Sequence, residues 1–255
     1  MSLLWSKVLE SLVSEVTLQE TRNNWKSNQH GGTKCSSTDH VIIEPWDCIL
    51  RALDRSNNNK AVVFTALDFS KSFSRCSHQE ILRAYQDVGA SNWCIKMHAA
   101  FLKDRSMSVK LGTTLSDQKK VTGGAVQGSV LGVLDHNVVL NNLDDDLLSV
   151  YIAKYVDDMT IIDTVENSVP TVVDDNHSRP IHIIALEKSQ NAFRSICKKS
   201  SVKGLKINDQ KTQLLSVSSA FYKIKKAIIK DSNNNPIESS SSVKMLGYTL
   251  SLIHI

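Results

Sequence analysis

The sequence predicts an α+β fold in which a split βαβ antiparallel sheet carries helices on one face. Three observations lead to this fold class. Apolar, β-branched segments alternate along the chain with segments of helical periodicity. One apolar segment, residues 61–68, ends at Asp68. Another is interrupted by Asp157 and Asp158, which is typical of a hairpin with a polar turn.

The N-terminal half predicts helices around one central strand, because apolar residues recur there at helical spacing on either side of a β-branched run. Gly89 separates two of these helices, and the asparagine-rich residues 54–60 are expected to form a loop. A hairpin is expected further on, between residues 106–111 and 119–121. The helices are expected over residues 7–20, 40–54, 77–88 and 91–103, and the strand over residues 61–68.

The C-terminal half predicts a second group of strands and two long helices. A glycine-rich segment precedes the first helix, whose end at Asp144, Asp145 and Asp146 we interpret as solvated. Polar residues, with two prolines in the first segment, predict loops over residues 166–180 and 231–242. The helices are expected over residues 128–146 and 181–199, and the strands over residues 150–155, 159–163, 212–216 and 243–251.

The net charge of +4 is mild, but its distribution is uneven. Residues 135–186 contain ten acidic and two basic side chains, whereas residues 187–255 contain twelve basic and four acidic ones. An acidic centre followed by a basic region suits a nucleic-acid enzyme, in which acids hold metal and basic groups attract phosphate. Ordinary solvated helix faces explain the same pattern.

No membrane or secretion signal is evident. No apolar run approaches the roughly 18 residues that a membrane span needs, and the amphipathic N-terminus does not resemble a signal peptide. The five cysteines are an odd number without CxxC spacing, which favours a reducing compartment. We therefore expect an intracellular protein, nuclear or cytoplasmic, with no membrane partner.

The three aspartates at the strand ends carry the strongest chemical signal. A carboxylate at the end of a buried strand costs free energy unless a positive charge lies against it. Asp68, Asp157 and Asp158 could together hold divalent metal, and paired metal ions drive phosphoryl transfer in polymerases and nucleases. A polar turn in which Asp157 and Asp158 are merely solvated is the alternative.

Five short motifs follow one another between residues 61 and 250. They read Leu-Asp-Phe-Ser-Lys-Ser-Phe at 67–73, Gly-Gly-Ala-Val-Gln-Gly-Ser-Val-Leu-Gly at 123–132, Tyr-Val-Asp-Asp at 155–158, Gly-Leu-Lys-Ile-Asn at 204–208 and Val-Lys-Met-Leu-Gly at 243–247. In content and order they resemble the catalytic blocks of reverse transcriptases, which are RNA-directed DNA polymerases, especially those of non-LTR retrotransposons. Residues 2–10 and 29–32 resemble the segments that precede the first block.

The resemblance implies a polymerase palm with part of the fingers. Residues 1–60 would form N-terminal helices and partial fingers. Residues 61–255 would form the palm, with inserted fingers elements at 89–122 and the start of the primer grip. The chain resembles a reverse transcriptase cut at both ends, and we expect the thumb to be absent.

The resemblance also implies a role for each matched residue. An aromatic at Phe73 lies under the sugar and excludes a 2′-hydroxyl, and Lys211 lies near the leaving pyrophosphate. The catalytic residues would be Asp68, Asp157 and Asp158, and the ligands of two Mg²⁺ ions, or of Mn²⁺ in their place, would be Asp68, Phe69, Asp157 and Asp158. The nucleotide would contact Ser70, Phe73, Gln127, Gly128 and Lys211, and the primer would contact Tyr155, Met245, Leu246 and Gly247.

Several residues of the second block depart from the family pattern. Val126 and Val133 replace usual prolines, Asp135 and His136 replace apolar residues, and Asn142 replaces a usual aspartate. These departures bear on the rigidity of the loop and on the packing of the following helix.

The function expected from the resemblance is template-directed DNA synthesis on an RNA or DNA template, from a DNA primer and dNTPs, with weak or no activity in this fragment alone. One alternative is a non-catalytic remnant of a mobile element. Another is a viral RNA-dependent RNA polymerase, against which Phe73 and the Tyr155-Val156 pair argue.

Overall fold

The computed structural model describes residues 3–54, 60–147, 151–166, 181–218 and 227–251. Helix and strand are mixed at 44% and 25%, with antiparallel sheets, which confirms the predicted α+β class. The helices are α1 (Leu3–Thr21), α2 (Thr38–Asp54), α3 (Ser72–Arg75), α4 (His78–Asp87), α5 (Asn92–Leu102), α6 (Val130–Leu140) and α7 (Ile181–Val202). The strands are β1 (Lys60–Asp68), β2 (Ser106–Met107), β3 (Lys110–Leu111), β4 (Thr114–Leu115), β5 (Lys119–Lys120), β6 (Tyr151–Tyr155), β7 (Asp158–Glu166), β8 (Gln213–Ser218), β9 (Ile228–Lys230), β10 (Pro236–Glu238), β11 (Ser242–Met245) and β12 (Tyr248–Ser251).

The chain divides into two compact units. The helical unit comprises Met1–Ser27, Lys71–Leu143 and Val202–Leu205, and the sheet unit comprises Asn28–Ser70, Asp144–Ser201 and Lys206–Ile255. Both units are therefore discontinuous in sequence. The palm and fingers assignment made from the sequence stays a prediction.

The sheet unit is built on four antiparallel strands in the order β6-β7-β1-β8. Strand β1 is central, and eight of its nine residues are buried. On one face Val62, Phe64 and Ala66 pack in a cluster with Ile49 of α2. On the other, the Thr65 hydroxyl lies 3.0 Å from that of Ser189 in α7. The sheet therefore has a helix on each face, where the sequence predicted helices on one.

The outer edge of β6 is paired with the segment 28–31. Lys154 N donates to Asn28 O, and His30 N donates to Lys154 O, both at 2.8 Å. The buried Lys154 Nζ lies 2.8 Å from Asp144 Oδ1, and Asn28 Nδ2 donates to Asp144 Oδ2 at 2.6 Å. Asp144 is buried, so our interpretation of residues 144–146 as a solvated helix end is wrong at that residue. Helix α6 ends at Leu140, and the chain then turns Asp144 toward Lys154.

The helical unit contains a buried polar network centred on α6. Asp135 Oδ1 accepts from the Tyr85 hydroxyl at 2.9 Å and lies 2.7 Å from His98 Nδ1. His98 Nε2 lies 3.2 Å from the Thr17 hydroxyl, so the network joins helices α1, α4, α5 and α6. Burial, together with the Asp135 carboxylate, raises the pKa of Tyr85 well above its ordinary value, so the phenol stays a hydrogen-bond donor. Two partners therefore hold Oδ1 of Asp135, whereas its Oδ2 has no hydrogen-bond partner among the described residues.

Four segments differ from their predicted form. In the hairpin expected between residues 106–111 and 119–121, β2 pairs with β5 as predicted, but β3 pairs with β4 inside the expected connection. The helix expected over 128–146 is shorter, and the strand expected over 243–251 is the hairpin of β11 and β12. The expected loop over 231–242 contains β10, which pairs with β9. The expected loops at 54–60 and 166–180 lie almost entirely outside the described residues. In the described part of the chain, no helix combines the length and apolarity that crossing a membrane requires.

A glycine supports the hairpin that joins β6 to β7. The two-residue turn between Tyr155 and Asp158 begins at Val156, whose φ of 55° is unfavourable for a β-branched residue. A Cβ atom on Gly31 would lie 2.6 Å from Val156 Cγ2 and closer still to Val156 N. The segment 28–31 can therefore lie against this turn only because residue 31 has no side chain.

We expect Gly31→Ala to destabilise the protein by roughly 1–3 kcal/mol, because the new methyl group meets backbone atoms that cannot rotate away. Gly123→Ala is the matched control, since its Cβ would lie 3.6 Å from Cys76 O, an ordinary contact. Urea unfolding of the two variants measures the difference. Equal unfolding free energies would contradict the close packing of Gly31 on the turn.

A buried carboxylate in β7 makes stability depend on pH. Asp163 is 1% exposed, and its carboxylate interacts with the side chain of Ser189. Burial raises the pKa of Asp163 to about 6, although the charge of Lys188 and the hydrogen bond from Ser189 oppose the shift. Because the folded pKa is above the unfolded one, the folded state favours the protonated acid. The penalty for ionising it develops as pH rises from about 4 to about 6.

We expect Asp163→Asn to raise the free energy of unfolding at pH 8 by up to about 3 kcal/mol and to leave it unchanged near pH 4. Urea titrations at the two pH values, with the exposed Asp117→Asn as the control, measure this. A variant whose effect is the same at both pH values would show that Asp163 does not titrate as described.

Candidate functional site

Two of the predicted aspartates face each other across adjacent strands. Asp68 is the last residue of β1, and its antiparallel partner is Asp158, the first residue of β7. Asp157 lies in the two-residue turn that precedes Asp158. Burial, then the charges of Asp157 and Asp68, raise the pKa of Asp158 to about 6. Mutual repulsion contributes to this shift, so the three carboxylates form one electrostatic cluster.

The end of β1 is held by the fourth sequence motif. Ser70 N donates to Lys206 O, and Asn208 N donates to Asp68 O, both at 2.8 Å. Phe69 forms an antiparallel bridge with Ile207 between these two bonds. This short pairing brings the side chains that follow Ile207 beside the carboxylate of Asp68.

Two of those side chains contact Asp68 Oδ2. Lys211 Nζ lies at 3.1 Å, and Asn208 Nδ2 donates at 3.3 Å. The hydrogen bond to Asp68 and the charge of Asp68 raise the pKa of Lys211, which therefore stays protonated. The contact of Asn208 was not predicted, although its place at the end of the Gly-Leu-Lys-Ile-Asn motif is a signal that could have found it.

A cavity of about 300 Å³ opens beside the carboxylates. Its wall includes five of the predicted residues, which come from the first, third and fifth sequence motifs and from Lys211 after the fourth: Asp68, Asp158, Lys211, Met245 and Leu246. Met245 Sδ is 2.9 Å from the Thr160 hydroxyl, which joins the β11–β12 hairpin to β7. Leu246 and Gly247 both have positive φ, as two-residue hairpin turns favour.

Asp157 and the other predicted residues of the sheet unit are not among the residues that line this cavity. Tyr155 pairs with Asp158 and closes the β6–β7 hairpin. Phe69 is buried, and Ser70 is half-buried at the end of β1. Gly247 completes the β11–β12 turn.

Three predicted residues, Phe73, Gln127 and Gly128, belong to the helical unit. Phe73 is half-buried in α3, whereas Gln127 and Gly128 are exposed in the loop before α6. Gly128 has a φ of 83°, a conformation that glycine adopts readily. The first turn of α6 is already capped from within the chain, because Ser129 Oγ accepts from Gly132 N and Glu10 Oε2 accepts from Val130 N.

The chemistry of the carboxylate cluster fits Mg²⁺. In the described residues, no group of three or more His, Cys, Asp and Glu side chains forms a ready metal cage. Mg²⁺ commonly binds through one or two carboxylates and completes its shell with water and substrate phosphate. Asp68 and Asp158 face each other and provide the carboxylate part of such a coordination shell. The raised pKa of Asp158 reflects the negative charge that a cation would neutralise there.

Several solved structures share the fold over almost the whole chain. Apo telomerase from Candida tropicalis, truncated from the C-terminal domain, superposes with a TM-score of 0.61 at 14% identity, covering 94% of this chain and 43% of that one. Telomerase from the same organism in complex with the TWJ fragment of telomeric RNA gives a TM-score of 0.62 at 12% identity, covering 94% and 36%. The corresponding Candida albicans complex gives 0.54 at 13% identity, covering 96% and 37%.

The chain thus spans less than half the length of these telomerases, and at such low identity the likeness concerns the fold alone. No curated protein sequence matches the chain. The family model described as reverse transcriptase (RNA-dependent DNA polymerase) matches residues 4–250. With the predicted motifs and the polymerase-like fold, this match shows that the chain belongs to the reverse transcriptase family.

Proposed function

We propose that this chain is the core of a reverse transcriptase that extends a DNA primer with dNTPs, on an RNA or DNA template, by two-metal nucleotidyl transfer. The observation that carries the proposal is the placement of Asp68 opposite Asp158, with Asp157 in the adjoining turn and the Lys211 ammonium against Asp68. Opposed carboxylates with a nearby cation and an open cavity are suited to a triphosphate and a hydroxyl nucleophile.

Asp68, Asp157, Asp158 and Phe69 would hold the two Mg²⁺ ions, with Mn²⁺ as a substitute. Bound there, such ions neutralise the triphosphate and activate the primer 3′-hydroxyl. The structure supports this through the clustered charges of the three aspartates. The Lys211 ion pair with Asp68 partly balances that charge.

The other residues would orient substrates. Lys211, protonated at neutral pH, would lie near the leaving pyrophosphate, where its positive charge offsets the developing negative charge. Met245, Leu246 and Gly247 form the turn beside the carboxylates and, with Tyr155, would support the primer terminus. Ser70, Gln127 and Gly128 would contact the nucleotide, and Phe73 would exclude the 2′-hydroxyl of a ribonucleotide.

The sheet unit corresponds, in this proposal, to the polymerase palm, and parts of the helical unit to the fingers. The residue content and the order of the five sequence motifs support an origin in a non-LTR retrotransposon. RNA as a partner is supported by the telomerases of the same fold that were solved with a fragment of telomeric RNA.

The metal site is tested by combining Asp68→Asn with Asp157→Asn. We expect calorimetry to show weak Mn²⁺ binding by the wild-type protein and its loss in the double variant, because two anionic ligands become neutral. On poly(rA) with an oligo(dT) primer, Asp157→Asn alone should slow dTTP incorporation by at least about a hundredfold.

Asp117→Asn changes one charge at an exposed position and is the control. Unchanged Mn²⁺ binding in the double variant would contradict the metal site. Incorporation of dTTP by Asp157→Asn at the wild-type rate would contradict a catalytic role for that residue.

The proposed role of Phe73 concerns the sugar. We expect Phe73→Val to raise incorporation of UTP relative to dTTP on the same template by at least about tenfold, because a smaller side chain leaves room for the 2′-hydroxyl. Phe101→Val removes an equally half-buried ring in α5 and should leave the ratio unchanged. Unaltered selectivity with retained dTTP incorporation would exclude Phe73 from the sugar site.

A further inference from the structure

The ring of Phe73 stacks on a histidine. The centroids of Phe73 and His136 are 4.3 Å apart, and the two planes are inclined by only 7°. Phe73 is half-buried, whereas His136 is fully buried in α6. Part of the phenylalanine therefore rests on a flat aromatic surface, and the rest is accessible.

The stack is not explained by the polar groups of the histidine. The side chain of Asn137 interacts with the imidazole of His136, whose ring nitrogens otherwise have no hydrogen-bond partner among the described residues. Burial lowers the pKa of His136 to about 4, so the imidazole is neutral under physiological conditions. A buried polar ring with so few hydrogen bonds costs stability that an aliphatic residue would not. The imidazole also presents a flat face, and that face packs against Phe73.

The backbone of Phe73 is held independently of the ring. Ala125 N donates to Phe73 O at 2.7 Å. Gly124, at a φ of 97°, packs so closely that a Cβ would lie 3.1 Å from Phe73 O and 3.2 Å from Ser74 Cα. With the main chain held by residues 124–125, the position of the phenyl ring depends on what lies behind it.

We propose that His136 is a specificity-determining positioning residue, whose imidazole backs the ring of Phe73 and sets how far that ring projects toward the sugar of an incoming nucleotide. The inference rests on the proposed function, in which Phe73 discriminates against ribonucleotides. Because the imidazole is closely packed against the phenyl ring, the phenyl ring has no free space behind it into which it could move. Removing the imidazole leaves a space into which the phenyl ring can withdraw.

The test measures nucleotide binding without turnover. Wild-type protein and variants are bound to poly(rA) carrying an oligo(dT) primer that ends in a dideoxynucleotide, and the Kd values of dTTP and UTP are measured with Mg²⁺. In His136→Ala we expect the ratio of the Kd of UTP to that of dTTP to fall by about tenfold. His136→Phe keeps a flat ring behind Phe73 and should retain the wild-type ratio.

Two further variants test whether a general loss of packing, and not the loss of the imidazole, changes the ratio of Kd values. Val138→Ala opens a cavity in the same helix, two residues beyond His136, and should leave the ratio unchanged. His136→Leu fills the space with a non-planar side chain and replaces His136→Ala if that variant does not fold, as judged by Tm. It should also lower the ratio. Nuclear magnetic resonance provides a readout independent of nucleotides, because the imidazole protons should lose their ring-current shift in Phe73→Leu.

The variant Phe73→Val distinguishes a failure of the proposed role of His136 from a failure of the proposed role of Phe73. If Phe73→Val lowers the ratio while His136→Ala and His136→Leu keep it, the inference is overturned and the role of Phe73 stands. If the wild-type protein binds both nucleotides equally, or if Phe73→Val also keeps the wild-type ratio, the proposed sugar discrimination is overturned, and the inference with it.

Discussion

The register between β1 and β7 is the constraint on which the candidate site depends. It sets Asp68 directly opposite Asp158, an arrangement that is unfavourable for two like charges on neighbouring strands. Because β1 is central and buried on both faces, a slip of one residue would exchange its core-facing side chains. Packing therefore enforces a repulsive pair, which Lys211 and Asn208 partly relieve through their contacts with Asp68 Oδ2.

The turns around this pair are strained or tightly confined. Val156 adopts a left-handed conformation immediately before Asp157, and Leu246 does so in the turn beside the cavity. Such conformations persist only where the surroundings determine them, and they cluster at functional sites. At Val156 the surroundings include Gly31, whose missing side chain lets a distant segment lie against the hairpin.

The departures from the family pattern in α6 have two different structural outcomes. The Oδ1 atom of Asp135 has two partners inside the helical unit, Tyr85 and His98, whereas Oδ2 has no hydrogen-bond partner among the described residues. His136 interacts with the side chain of Asn137 and stacks on Phe73. Helix α6 therefore has two roles. It contributes Asp135 to a polar network that joins four helices, and it contributes His136, whose ring supports Phe73.

The sequence by itself determined the fold class, the central strand, the hairpin around the paired aspartates and the family. These features depend on local periodicity and on short motifs, which are legible within a few residues. Only the tertiary structure decided that Asn208 and Lys211 contact Asp68, that Asp144 pairs with Lys154, and that Gly31 accommodates Val156. The same holds for the end of α6 at Leu140 and for the β11–β12 hairpin. The physical reason is that these features depend on which distant segments pack together, and the spacing of apolar residues does not specify those partners.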